Sequence, residues 1–160
     1  MSLKKYYNIA KIKLFPITRS LTGNGVKKTL NIIQKEIPKL KIKKFKSGTK
    51  VFDWNIPEEW NVTDAYVIDK YNNKIIDFKK NNLHLVGYSI PINKIIDFKL
   101  LNKHLFYLEK QPDAIPYITS YYKKNWGFCI SYNNYLKINK NSKFKVIIDS
   151  ELDENGNLVY

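Results

Sequence analysis

The chain has 160 residues and carries 28 Lys or Arg against 14 Asp or Glu, a formal charge of +14 at pH 7. Its 44% hydrophobic and 14% aromatic content suits one domain with a packed core and excludes wholesale disorder. The charge does not by itself point to nucleic acid, because Arg19 is the one arginine and arginine supplies the planar fork that reads phosphates and base edges.

The start, MSLKKYYNIAKIK, is a basic lead-in without the apolar stretch and cleavage site of a secretory signal. No run approaches the roughly 18 apolar residues of a membrane helix. A cytoplasmic protein with no membrane partner is expected. Ser20 and Thr22 are N-cap candidates for a helix over 23–37, where Val26, Leu30, Ile33 and Ile37 share one stripe and Pro38 closes the segment. Leu40, Ile42 and Phe45 alternate with lysines as an exposed strand, and Ser47-Gly48-Thr49 turns the chain.

Residues 51–54 read as a short strand ended by Ile56-Pro57, and Pro57-Glu58-Glu59-Trp60 as a single helical turn with acids near its positive end. The segments 64–70 and 74–78 form a hairpin around Asn72-Asn73. A further strand is expected over 83–90, stopped by Pro91, and then a helix over 97–108 with Leu100, Leu101, Leu105 and Leu108 on one side. Pro112 and Pro116 bracket an extended loop. A strand over 126–131 and a helical turn over 132–136 precede KFKVIIDS (143–150), the strongest strand signal present. The turn Asp153-Glu154-Asn155-Gly156 leads into a returning strand, and a chain stopping a few residues into that strand reads as a fragment. The fold class is α+β, with short antiparallel strands flanked by helices.

Chemistry is sparse. One cysteine, Cys129, excludes an internal disulfide and a multi-cysteine zinc site, and in GFCIS it reads as a buried small hydrophobe. His84 and His104 are the two histidines, and each reads as a structural residue rather than a ligand. A di-zinc hydrolase needs about two His and several carboxylates converging on the metals, a pattern this chain does not show. Glu58 and Glu59 are adjacent, so on a helical turn they diverge and cannot act as an acid–base pair. Asp53 reads as a turn or capping carboxylate. LTGNGV lacks the lysine ending of a phosphate loop, although Arg19 beside a helix start leaves an anion contact open. Tyr117, Tyr121, Tyr122, Trp126 and Phe128 read first as a packed loop. The alternative is a stacking surface, with Tyr121 and Trp126 as substrate contacts.

Three stretches, FPITRSLTGNGV (15–26), VFDWNIPEEW (51–60) and QPDAIPYITSYYKKNWGFC (111–129), resemble a family of bacterial aminopeptidase-like proteins. Those proteins are related to co-catalytic di-zinc aminopeptidases and are often encoded in polysaccharide-biosynthesis clusters. The resemblance runs from about Lys13 to Tyr160. It implies an α/β/α zinc-peptidase body with an inserted β domain. On that map residues 1–44 are the first helix and strand of the body, 45–106 the inserted β-rich domain and 107–160 a truncated return to the body. The family's metal ligands lie beyond Tyr160, so no catalytic or metal-binding residue carries over; zinc is expected in the parent and no cofactor in this chain. The implied function is the N-terminal, non-catalytic portion of a zinc aminopeptidase-like protein whose partner is the remainder of the peptidase body, with homo-oligomers left open. The alternatives are a Lys/Tyr-rich module binding an anionic polymer and a decayed gene product without activity. Nucleic acid is not the expected partner.

Overall fold

Residues 3–160 are described by a computed structural model, in which the chain divides into two units. One takes in the residues up to Asn61 and again Leu152–Tyr160; the other is Val62–Glu151. In chain order the elements are α1 (Leu3–Asn8), a π-helical segment (Ile9–Leu14), α2 (Asn24–Glu36), β1 (Lys44–Lys46), β2 (Lys50–Val51), β3 (Trp54–Asn55), β4 (Glu59–Ile68) and β5 (Lys74–Asp77). A 3-10 turn (Asn82–His84), β6 (Ile92–Asp97), α3 (Phe98–Asn102), β7 (Leu105–Phe106), β8 (Phe128–Cys129), α4 (Tyr132–Tyr135), β9 (Lys143–Asp153) and β10 (Asn157–Val159) follow. The chain crosses between the units twice, within β4 and within β9. The fold is therefore mixed α and β, with small, mainly antiparallel sheets and few helices.

In the first unit, α2 matches the expected helix to within a residue at each end. Its apolar stripe is half-buried, and Pro38 ends it because a proline lacks the N–H that a continuing helix needs. The basic lead-in is itself helical from Leu3, and Lys5 ties α1 to Glu36 near the end of α2 at 2.5 Å. The expected strand around Leu40 to Phe45 shrinks to β1. The returning strand β10 pairs with β1, not with β9: Lys44 faces Val159 and Phe45 faces Leu158, with the Phe45 and Tyr160 rings stacked at 5.6 Å. Residues 51–54 are not one strand but the turn of a tight hairpin between β2 and β3, with Phe52 and Asp53 at its tip. The helical turn expected at Pro57 to Trp60 is extended, since Glu59 and Trp60 open β4.

The second unit is built on a four-stranded sheet in the order β5-β4-β9-β6. The predicted 64–78 hairpin is present as β4 and β5, antiparallel, with a bulge between Val67 and Ile68. Along β9, Phe144, Val146 and Ile148 are buried while Lys143, Lys145 and Asp149 are exposed, the period-two pattern of a strand with one covered face. Burying each such side chain contributes about 1.5–3 kcal/mol. Ala65, Val67, Ile76, Val86, Leu101, Phe128 and Ile130 are also buried in the core.

Three expectations fail in this unit. The strand expected over 83–90 is replaced by the 3-10 turn, capped by Asn81, whose side chain accepts from the Leu83 N–H at 3.0 Å. Residues 85–89 after it are all buried without alternation, and the regular strand comes beyond Pro91, as β6 paired with β9. The helix expected over 97–108 stops at Asn102. Asp97 caps α3, and the chain then turns at His104 into β7, which runs parallel to β8. That pairing pulls Leu105 out of the helical stripe. The strand expected over 126–131 is confined to β8.

Candidate functional site

The FPITRSLTGNGV stretch is shaped by close backbone approach. A Cβ at Gly25 would lie 1.8 Å from the Thr18 carbonyl oxygen, and one at Gly23, where φ is +94°, would lie 2.1 Å from that of Trp60. Neither expected cap serves α2. Its N-cap is Gly23, and its first N–H, that of Asn24, donates to the Asn61 side chain at 2.8 Å. Thr22 is buried, donating through its hydroxyl to the Glu58 carbonyl at 3.3 Å and accepting from the Trp60 N–H at 2.9 Å. Arg19 is half-buried. Its guanidinium donates to the carbonyl of Leu14, the end of the π-helical segment, at 2.7 Å and to the Thr29 hydroxyl at 3.4 Å. A groove of about 480 Å³ lies beside this stretch, lined by Ile12, Pro16, Ile17 and Ile32 with Lys13, Thr18 and Lys28.

Glu59 is the buried carboxylate of the first unit, and sequence reasoning missed its role. It meets the Lys27 ammonium at 2.5 Å and accepts from the Asn157 N–H at 2.9 Å and from the Asn61 amide at 3.4 Å. Burial pushes this carboxyl up. The Lys27 and Asn157 hydrogen bonds, helped by Asn61 and by the Lys27 charge, outweigh it and hold the group below its ordinary value. A Cβ at Gly156 would lie 2.1 Å from the Glu59 Cβ, so the turn before β10 is shaped to receive this side chain. Lys27 and Asn157 stand far from Glu59 in sequence, so no local pattern announces the trio.

In the second unit both histidines hold backbone. A carbonyl oxygen can only accept, so His84 donates from Nδ1 to Cys129 at 2.7 Å and His104 from Nδ1 to Trp126 at 2.9 Å. Cys129 is fully buried, and that burial pushes its thiol up to about 12, far from a reactive thiolate at neutral pH. Among the described residues no three His, Cys, Asp or Glu side chains stand close enough together to hold a metal ion.

Of the three residues singled out as possible contacts, Arg19 belongs to the first unit and Tyr121 and Trp126 to the second. Trp126 is half-buried and stacked on the His104 ring at 3.7 Å with planes 15° apart. Tyr121 lies edge-on to Tyr88 at 6.0 Å and against Tyr122 at 4.0 Å. Its hydrogen bond with Tyr122, together with burial, raises its phenol above the ordinary value. Tyr88 is buried and holds φ at +62°, a backbone state that costs a residue with a side chain about 1–2 kcal/mol.

Asp53 sits exposed at the β2–β3 turn, in keeping with a turn carboxylate. No helix among the described residues is long and apolar enough to cross a membrane.

Comparison with known proteins adds three findings. A relative from Clostridium acetobutylicum named "Putative polysaccharide biosynthesis protein with aminopeptidase-like domain" is 50% identical over 154 residues, a match spanning 96% of this chain and 35% of the relative, in its N-terminal part. A crystal structure described as a "putative peptidase" from the same organism superposes with a TM-score of 0.91 at 48% identity, covering 98% of this chain and 36% of that one. The chain thus spans about a third of the length of the proteins it matches. Residues 59–151, all but a few of them the second unit, match the family described as "Domain of unknown function (DUF2172)", and the chain belongs to that family.

Proposed function

We infer that the chain is a non-catalytic N-terminal portion of a zinc aminopeptidase-like protein acting in polysaccharide synthesis, with metal-dependent hydrolysis of a peptide or amide bond carried by the remainder of the protein. The observation that carries this reading is the match of nearly the whole chain to the N-terminal part of an aminopeptidase-like relative almost three times as long. The donor set supports it. Among the described residues no three His, Cys, Asp or Glu side chains cluster as metal donors, Cys129 is buried as a thiol, and Glu59 is committed to Lys27 and Asn157. The chain order supports an accessory role for the second unit. The first unit is made of residues on both sides of it, the arrangement expected when a β-rich domain is inserted into a host fold. Zinc content and aminopeptidase turnover of the purified chain test the reading. Less than a stoichiometric trace of zinc and no release from aminoacyl-nitroanilides are expected, whereas one or two tightly held zinc ions per chain would overturn the non-catalytic assignment.

A further inference from the structure

The segment 120–125 of the second unit is a presented turn rather than a slack loop. The Lys123 N–H closes it on the Ser120 carbonyl at 3.1 Å. At one end the Ser120 N–H donates to the Gly87 carbonyl at 2.9 Å, and at the other the Ile90 N–H donates to the Asn125 carbonyl at 2.9 Å. Between those two anchors lies Tyr88, at φ +62°, with its ring buried and set edge-on against Tyr121. A bulky residue seldom adopts that backbone state, and where it persists the surroundings enforce it. Here the enforced state supports the ring pair Tyr121–Tyr122, and the outer ring, Tyr122, is 75% exposed. Lys123 and Lys124 follow it directly and are exposed.

The surrounding sequence is one-signed. Between Asp113 and Asp149 there are six lysines and no acidic residue. A supported, exposed aromatic face beside ammonium groups suits a ligand with a flat apolar face and a negative charge. A uronic-acid sugar has both, in the C–H face of its ring and its carboxylate. A nucleic acid has them too, but the chain's single arginine disfavours that choice. The preference for a saccharide also rests on the reading that the protein works in polysaccharide synthesis. We propose that the turn 120–125 is a binding site for an acidic glycan, with Tyr122 stacking on a sugar ring and Lys123 pairing with its carboxylate.

Calorimetric titration of the full chain with an oligogalacturonate, a neutral malto-oligosaccharide of the same length and an oligothymidylate tests this. Oligogalacturonate is expected to bind and the neutral sugar to bind far more weakly. Tyr122→Ala is expected to weaken binding about ten-fold, the scale of one lost stacking contact. Lys123→Gln should weaken it and flatten its salt dependence. Tyr122 is exposed, so its loss leaves the fold intact, which circular dichroism checks. No binding of oligogalacturonate, or binding indifferent to Tyr122→Ala, would overturn the site; tighter, Tyr122-dependent binding of oligothymidylate would reassign it to nucleic acid and overturn the glycan. The outcome separates from the zinc measurement. Tightly held zinc with glycan binding intact sinks the non-catalytic reading alone, and a zinc-free chain that ignores the glycan sinks this site alone.

Discussion

Glu59→Gln isolates what one buried charge does for the first unit. The amide keeps the size of the side chain, and its oxygen can still accept from the Asn157 N–H, so packing against Gly156 is retained. What changes is the partner of Lys27, an ammonium that meets a carboxylate oxygen at 2.5 Å in the native protein. Removing one member of a fully buried pair costs about 3–5 kcal/mol, whereas an exposed pair is worth at most about 1 kcal/mol. Lys27 keeps 35% of its side chain exposed, so the cost falls between these limits, at about 2 kcal/mol. In a chain of this length that lowers the melting temperature by roughly 4–8 °C. The pH dependence is the sharper test. The folded carboxyl titrates below its unfolded value of 4.5, so between those two pKa values the native protein binds fewer protons than the unfolded one. Stability there rises with pH. The contribution of Glu59 is fully present above the unfolded value and is lost as pH falls through the depressed one. Urea denaturation followed by circular dichroism, on both proteins at neutral and at acid pH, should show a gap at neutral pH that closes in acid. A gap under about 0.5 kcal/mol at neutral pH, below what a charged hydrogen bond contributes, would refute the reasoning. So would a gap that acid leaves unchanged.

Gly156→Ala pushes a methyl group to within 2.1 Å of the Glu59 Cβ, and should cost about 1–3 kcal/mol through overpacking, read in the same urea titration. Phe52 is 93% exposed at φ +55° on the β2–β3 turn, so Phe52→Asn, which tolerates that backbone state, should raise stability by roughly 0.5–1 kcal/mol. Cys129, fully buried with its thiol raised to about 12, should resist iodoacetamide at pH 8 in the native protein and react at once in denaturant, as intact mass will show.

The parts of the fold that were legible in the sequence are those whose partners are near in the chain or whose pattern is internal. α2 carries its own stripe and its own proline stop. The β4–β5 hairpin has a short polar turn between two β-branched runs, and Asp69 accepts from the Tyr71 and Asn73 N–H groups within that turn. β9 alternates lysine with apolar residues. What failed was decided at a distance. The leucines after Asp97 are spaced as in a helix, but the carbonyls of His104 and Phe106 accept from the Phe128 and Ile130 N–H groups, a pairing invisible to periodicity. Pro-Glu-Glu-Trp has the chemistry of a helix start, and only the arrival of Lys27 and Asn157 turns Glu59 into a buried anchor on a strand. Tyr88 gave no signal, since nothing local requires a tyrosine to take a positive φ.

The same long-range logic applies to the closing of the first unit. Its closing pair, β1 with β10, joins residues on either side of the Val62–Glu151 segment, and Glu59 holds the turn before β10 from the start of β4. Closing a flexible loop of that length costs about 4 kcal/mol by the logarithmic law, more than a three-residue ladder and one ring stack comfortably return. The loop is not flexible, however. β4 and β9, the strands in which the chain leaves and rejoins the first unit, are hydrogen-bonded neighbours in the four-stranded sheet. Once that sheet forms, the chain between β1 and β10 no longer behaves as a free loop, and most of the closure entropy has been met by a core containing Phe144, Val146 and Ile148. The few contacts that complete the first unit, Glu59 with Lys27 and Asn157 foremost, then suffice. This is why a single buried carboxylate should register so strongly in its stability.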